Sequence, residues 1–250
     1  MPFSRCESNP SQKPATNSAL ASPANAPEGK LPRGARDRSS SRPAGRAPTG
    51  RHRKFSNTIE LECAADVLAA LIHAGHVGLV PNRMMSINLE AAGIDDPVAT
   101  IGRLMKLIRD AVKRTGGFAY IWVRERGPVV GDHAHILFHL PAMPQYWFAR
   151  RKPSWFKRCN IQQGRGISHT ARIHGAPTHM DVQVTCPELY SINLRNVTHY
   201  LLKHCSADVQ LDLGIVSKGP CSVVGKRVSI SENLHRGARS RCAECVRTVE

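Results

Sequence analysis

The segment GDHAHILFHLP, from Gly131 to Pro141, constrains the fold of this chain more than any other stretch. Successive side chains of a β-strand point to opposite faces of the sheet. One set of alternate positions is apolar and predicts a core face: Ala134, Ile136, Phe138 and Leu140. The other set consists of His133, His135, Leu137 and His139, three of which are histidines. We therefore predict a strand that covers a core with one face and carries a polar site on the other.

Hydrophobic periodicity predicts further elements on both sides of this strand. Apolar residues at spacings of three and four predict helices, and short β-rich runs bounded by glycine or proline predict strands. The predicted elements are a helix over 59–73, a strand from 84, a helix over 98–112, strands from 118 and 133, a strand over 179–185 and a helix over 191–204. This order predicts an α+β fold with an antiparallel or mixed central sheet and flanking helices.

The charge of the chain is strongly positive. Thirty-five lysines and arginines stand against nineteen acidic residues, a net charge of +16. Such a balance predicts a polyanionic partner, and nucleic acid is the leading candidate. Residues 1–54 hold eleven of the basic residues and almost no large apolar ones, so we predict a disordered basic arm there. The folded domain is then expected over 55–215, followed by a basic C-terminal tail over 216–250.

The compartment is predicted from what the sequence lacks. It contains no apolar run of about 18 residues, the minimum for a membrane-spanning helix, and its first residues lack the apolar centre of a secretory signal. Eight cysteines in such a chain are typical of reduced thiols rather than of a disulfide framework. We therefore expect a cytoplasmic protein without a membrane partner.

His133 and His135 are candidate metal ligands, because imidazoles two residues apart on a strand can converge on one divalent ion. The preceding strand ends with Glu125, which would stand beside both histidines if the two strands pair antiparallel. Two imidazoles and one carboxylate suit Mn²⁺ or Mg²⁺ and leave room for a phosphate oxygen. The alternatives are that the histidines only pack and that Glu125 pairs with a neighbouring arginine.

A candidate nucleophile lies farther along the chain, in NLRNVTHYLLKHC. Tyr200 and Lys203 are three residues apart, so a helix would place them on one side. A packed aromatic ring and a solvated lysine are the commoner roles of such residues. Tyr200 and Lys203 can act together in catalysis only if the strand that carries His133 and His135 lies beside them.

Together these residues resemble the HUH endonucleases, in particular the single-tyrosine initiators of rolling-circle replication. The resemblance covers roughly residues 84–204 and rests on three features. The His-hydrophobic-His motif is HAH at 133–135, Glu125 stands in the position of an acidic third ligand, and YLLK at 200–203 is similar to the YxxK nucleophile motif. The resemblance implies an HUH endonuclease-like, RRM-like fold.

The resemblance also implies an activity: metal-dependent, site-specific nicking and joining of single-stranded DNA at the replication origin of a plasmid or phage-like element. Tyr200 would form a 5′-phosphotyrosine intermediate, and Lys203 would assist it. Glu125, His133 and His135 would hold Mn²⁺ or Mg²⁺. The sequence has no GxxxxGK[ST] motif, so a host helicase would unwind the duplex and a host polymerase would extend it. A relaxase or transposase with the same chemistry, and a non-catalytic basic DNA-binding protein, are the alternatives.

The segment PQYWFARRKPSWFKR, over 144–158, interleaves aromatic and basic residues. Aromatic rings stack on bases and cations neutralise phosphates, which is what a single-strand binder requires. A core helix whose aromatic rings face inward is the alternative. The predicted nucleic-acid contacts are Trp147, Arg150, Arg151, Lys152, Lys157, Arg158, Lys226 and Arg227.

Overall fold

The structure, a computed structural model, describes residues 55–128, 130–144, 146–176 and 186–247, with side chains as far as residue 241. The predicted disordered arm over 1–54 and the predicted strand over 179–185 lie outside the described residues. The elements in chain order are β1 (Phe55–Ser56), α1 (Leu61–His76), β2 (Arg83–Asn88), α2 (Pro97–Val112), β3 (Ala119–Gly127), β4 (Gly131–His139), α3 (Trp147–Arg158), β5 (Ser168–Arg172), α4 (Pro187–Leu201), α5 (Ala207–Leu213), β6 (Val223–Val224), β7 (Val228–Ile230) and α6 (Arg236–Arg247).

The main sheet has five strands in the order β5-β2-β4-β3-β7, and all four neighbouring pairs are antiparallel. A second, two-stranded sheet joins β1 to β6. The predicted α+β class with an antiparallel sheet is therefore confirmed. The β3–β4 hairpin lies at the centre, and its register places Glu125 opposite His133 and Val123 opposite His135.

Helices pack against both faces of this sheet and form two separate cores. The first core joins α2 and α3 to the apolar side of β4, with Ile136 and Phe138 fully buried. The second joins α1, α4 and α5 to the other side, where Leu137 is buried. The alternation of β4 explains this arrangement, because odd and even positions face opposite cores. The histidines share their face with Leu137 and therefore lie at the margin of the second core.

Local sequence signals set the ends of the helices. Asp96 caps α2, since its carboxylate accepts a hydrogen bond from the Ala99 amide at 3.1 Å, and Pro97 follows at the first helical position. The helix predicted over 59–73 is present as α1, which begins two residues later and ends three residues later than predicted. None of the described helices combines the length and the apolar character that crossing a bilayer requires.

The segment predicted as a C-terminal tail is folded over much of its length. Its strand β7 pairs with β3, with Val228 opposite Val123 and Ile230 opposite Ile121. Leu234, which follows, is 1% exposed and belongs to the second core. A three-residue strand is too short to show an alternation, so no sequence pattern predicts this pairing. The folded part of the chain continues past residue 215.

Arg227 is a structural residue rather than a phosphate contact, which corrects one of the predicted nucleic-acid contacts. It is 6% exposed, and its Nε donates to the Ser56 hydroxyl at 3.0 Å. Its Nη2 donates to the backbone carbonyls of Ser56 and Cys221. The guanidinium thus ties β1 to the loop before β6. Its neighbour Lys226 is exposed and remains available to a ligand.

We expect Arg227→Ala to lower the free energy of unfolding by about 2–4 kcal/mol, because it leaves buried carbonyls without donors and opens a void. Lys226→Ala, which removes the same charge one residue away, should change that free energy by less than about 0.5 kcal/mol. Urea unfolding followed by circular dichroism measures both. Equal stability of the two variants would contradict the structural role.

Candidate active site

Four side chains converge on Glu125, near the end of β3. Glu125 is 2% exposed. Its Oε1 is contacted by His133 Nε2, by His135 Nε2 at 2.9 Å and by Lys203 Nζ at 2.5 Å. Its Oε2 lies 3.3 Å from His204 Nε2. The ligand atoms of Glu125, His133 and His135 all lie within 4.8 Å of one another, so these three residues could hold a metal ion.

The hydrogen bond that His133 makes away from Glu125 indicates which of its two ring nitrogens carries a hydrogen. His133 Nδ1 lies 2.9 Å from the Gly131 carbonyl oxygen, which can only accept, so Nδ1 carries a hydrogen. In the neutral ring, Nε2 then directs a lone pair at the Glu125 carboxylate. Two acceptors in contact repel each other unless the imidazole is protonated or a cation lies between them. The geometry therefore fits either a protonated His133 or a bound cation.

His135 is oriented from the neighbouring strand β2. Its Nδ1 lies 2.7 Å from the Ser86 hydroxyl, which stands opposite it in the β2–β4 register. A partner on the outer nitrogen fixes the ring orientation and directs Nε2 at the cluster, as is common for histidines that bind metals. Ser86 is thus a supporting residue that the sequence did not suggest.

The electrostatics of the cluster favour an ionised carboxylate. Burial raises the pKa of Glu125, but hydrogen bonds from His133, His135 and Lys203 outweigh burial and hold that pKa well below its ordinary value. Burial also lowers the pKa of His135, more than Glu125 raises it, so this ring is neutral and able to bind a metal. Burial lowers the pKa of His133 too, but there the hydrogen bond to Glu125 prevails and the pKa is raised.

Tyr200 lies against this cluster. Its ring centroid is 4.8 Å from that of His135, and Lys203 Nζ is 3.6 Å from the centroid of the phenol ring. Tyr200 is 40% exposed, so a ligand can reach it. The helix α4 ends at Leu201, so Lys203 lies just beyond it rather than on it, and the turn directs its ammonium between Tyr200 and Glu125. The structure thus brings together all five residues of the predicted metal and catalytic set.

His204 is a further member of the cluster that the sequence pattern did not single out. Its Nδ1 lies 2.8 Å from the Gly219 carbonyl oxygen, so Nδ1 carries a hydrogen and Nε2 is the ring nitrogen that faces Glu125. Glu125 Oε2, which it faces, is buried and has no hydrogen-bond partner within the part of the chain that the structure describes. The sequence feature that could have indicated this role is the position of His204 directly after Lys203.

Two residues with similar chemistry are held away from the cluster. His139 is buried on the same strand, with its Nδ1 2.8 Å from the Val80 carbonyl oxygen, which is a structural role. Tyr190 donates from its hydroxyl to the Pro81 carbonyl at 2.9 Å. Burial raises the pKa of Tyr190, which disfavours the phenolate that a nucleophile requires. Tyr200 is therefore the better placed of the two tyrosines on α4.

The helix α3 lies on the opposite side of the sheet from Tyr200, in the first core. Its aromatic residues Phe148, Trp155 and Phe156 are buried, as the alternative of a core helix proposed. Its exposed side carries four of the predicted nucleic-acid contacts: Arg150, Arg151, Lys157 and Arg158. Trp147 and Lys152 are half-buried at the boundary between these sides.

No family model matches this chain, and no curated protein and no solved structure matches it significantly. Its likeness to HUH endonucleases therefore consists of the motifs in its sequence. The spatial convergence of Glu125, His133, His135, Tyr200 and Lys203 is an independent property of the structure.

Proposed function

We propose that this chain is a metal-dependent nickase and strand transferase that cuts single-stranded DNA with Tyr200 and retains the 5′-phosphate on that residue. One observation carries the proposal: an accessible phenol stands beside the imidazole of His135 and beneath the ammonium of Lys203. A nucleophile, a potential metal site and a cation for a phosphate thus occupy one place.

Glu125, His133 and His135 would hold Mn²⁺ or Mg²⁺. The hydrogen bond from His133 Nδ1 to the Gly131 carbonyl supports this assignment, because it leaves Nε2, the nitrogen in contact with Glu125, as the atom that would bind the ion. When bound, such an ion acts as a Lewis acid that neutralises charge on the scissile phosphate. The buried carboxylate of Glu125 stays ionised in this environment, as a ligand must.

Tyr200 supplies the nucleophile. Its oxygen attacks the phosphorus, a phosphorus–tyrosine bond forms and the bond to the 3′-oxygen breaks. The exposed phenol loses its proton to water, and the departing oxygen takes up a proton to become a 3′-hydroxyl. The ammonium of Lys203, 3.6 Å from the ring centroid, offsets the negative charge that develops on the phenolate and the phosphate. Because the phosphoester is retained, attack by a 3′-hydroxyl can rejoin the strand.

The substrate is proposed to be the single-stranded origin of a plasmid or phage-like element, in the cytoplasm. The net charge of +16 supports a DNA partner. The free 3′-hydroxyl would serve as a primer, so a host helicase and a host polymerase would complete initiation. A relaxase or a transposase would use the same chemistry.

A non-catalytic basic DNA-binding protein is the second candidate. One observation favours it: Lys203 already pairs with Glu125 at 2.5 Å, so the buried carboxylate has a counter-charge without a metal ion. Under this alternative, the histidines would only complete the hydrogen bonding of a structural ion pair.

The variant His133→Ala separates these candidates. We expect it to lose Mn²⁺-dependent nicking of a single-stranded oligonucleotide while retaining most of its salt-sensitive binding, because it removes a ligand but no surface charge. His76→Ala, at the exposed end of α1, is the matched control and should nick like the wild type. Nicking by His133→Ala at the wild-type rate, or wild-type nicking that persists in excess chelator, would rule out the metal proposal.

A further inference from the structure

An open groove of about 380 Å³ lies between the start of α3 and the edge strand β5. We propose that it binds an unpaired base of single-stranded DNA together with an adjoining phosphate. The inference rests on the proposed function and adds a recognition site outside the nicking centre. The residues of the groove that carry the argument are Arg83, Tyr146, Trp147, Lys152, His169 and Arg172.

Tyr146 presents a largely exposed aromatic ring at the edge of the groove. Its φ of 63° is left-handed, a region that a bulky residue rarely adopts. Tyr146 also occupies the N-cap position of α3, a position that favours Asn, Asp or Ser. Its side chain makes no capping hydrogen bond within the described part of the chain. Its side chain is 62% exposed rather than packed. An aromatic ring held in an unfavourable backbone conformation and left in solvent is suited to stacking on a base.

Trp147 gives the groove a second, more rigid aromatic wall. It is half-buried, and its ring packs edge-on against Trp155 with 5.6 Å between centroids. The guanidinium of Arg151 lies 5.8 Å from its ring centroid. A fixed ring beside an exposed one can accept a planar base with little loss of side-chain entropy, since most of the ordering is already present in the protein.

Three basic side chains also line the groove, among apolar and hydroxyl-bearing residues. Arg83 on β2 and Arg172 on β5 stand directly opposite each other in the sheet register, which concentrates positive charge on one wall. Lys152 adds a third cation and donates to the Ser168 hydroxyl at 3.2 Å, which holds its ammonium at the groove. Aromatic surface together with clustered cations matches a nucleotide, whose base is planar and whose phosphate is anionic.

The strand register connects this groove to the nicking centre. His169 stands opposite Ser86, and Ser86 stands opposite His135. Two strand spacings, roughly 10 Å, therefore separate the edge strand β5 from the strand of the histidine cluster. His169 is exposed. A DNA strand that crosses this edge could enter the groove a few nucleotides from the phosphate at Tyr200, so the groove would select a flanking nucleotide.

The variant Tyr146→Asn tests the groove, because asparagine tolerates the left-handed conformation and can cap α3. We expect its thermal unfolding temperature to be equal to or above that of the wild type. Its affinity for a labelled, mixed-sequence single-stranded oligonucleotide should be about tenfold lower, from the loss of one stacked base. Fluorescence anisotropy in the presence of chelator measures binding without cleavage.

A charge-matched pair on α3 provides the control. Lys152 lines the groove, whereas Lys157 is exposed on the same helix and does not. Lys152→Ala should weaken binding several-fold more than Lys157→Ala. Wild-type affinity in Tyr146→Asn, or equal losses in the two lysine variants, would overturn the groove. If the wild type fails to nick with Mn²⁺ while these binding differences persist, only the proposed function fails.

Discussion

Tyr200→Phe should eliminate the covalent protein–DNA adduct while leaving the fold and the affinity for DNA unchanged. Phenylalanine retains the ring that contacts His135 and Lys203 and loses only the oxygen that attacks phosphorus. Because no other group replaces that oxygen, we expect adduct below detection rather than a partial loss. The adduct is measured as labelled DNA that migrates with the denatured protein after incubation with Mn²⁺.

The labelled end of the oligonucleotide tests the direction of the reaction. A 5′-phosphotyrosine joins the protein to the downstream fragment, so label at the 3′ end should appear on the protein. Label at the 5′ end should appear on a released fragment whose 3′-hydroxyl a polymerase can extend. Protein labelled from the 5′ end would indicate the opposite linkage and contradict the proposed chemistry.

Tyr190→Phe is the matched control, because Tyr190 lies on the same helix but donates its hydroxyl to Pro81. It should form the adduct like the wild type. Adduct formation that survives in Tyr200→Phe but disappears in Tyr190→Phe would reassign the nucleophile. Loss of the adduct in both single variants would indicate that α4 itself had been disturbed, which circular dichroism of the two proteins would detect.

The central hairpin could be predicted because its register follows from two simple rules. Alternation along β4 fixed which residues share the face of His133, and the short connection to β3 required antiparallel pairing. Together they predict that Glu125 stands beside both histidines. In the structure the strands pair antiparallel, with Glu125 opposite His133.

The edge strand β5 could not be predicted, because its sequence SHTAR has no apolar alternation. Ser168 and Thr170 are half-buried, and the other three side chains are exposed. Such a strand is defined by backbone pairing with β2 rather than by burial, and pairing partners are not visible in a single sequence. The groove beside β5 could not be predicted from the sequence for the same reason.

Three further residues could not be predicted, because their contacts depend on how distant parts of the chain come together. His204 reaches Glu125 only because the chain turns after Leu201, and Ser86 reaches His135 only through the pairing of β2 with β4. Arg227 was assigned to DNA because an arginine in a basic segment is usually at the surface. Its burial depends on the carbonyl groups that β1 and the loop before β6 present to it, which no local pattern encodes.

Lys203→Met should change metal affinity and catalysis in opposite directions. Lys203 Nζ lies 2.5 Å from Glu125 Oε1, the oxygen that both His133 and His135 also contact. A divalent ion at this carboxylate must share it with an ammonium, and like charges at such distances repel by several kcal/mol at about the effective dielectric constant of a protein. Methionine fills a similar volume without charge. We therefore expect Mn²⁺ to bind about tenfold more tightly, a change of about 1.4 kcal/mol.

Nicking at saturating Mn²⁺ should nevertheless fall by about 100-fold, because the phenolate and the phosphate lose the cation that offsets their charge. Calorimetric titration measures the affinity, and single-turnover cleavage measures the rate. Lys218→Met, at an exposed site near the cluster, should change neither quantity. Weaker Mn²⁺ binding in Lys203→Met would mean that the lysine supports the ligands rather than competing with the ion. An unchanged rate would remove Lys203 from the chemistry and leave it as the counter-charge of a buried carboxylate.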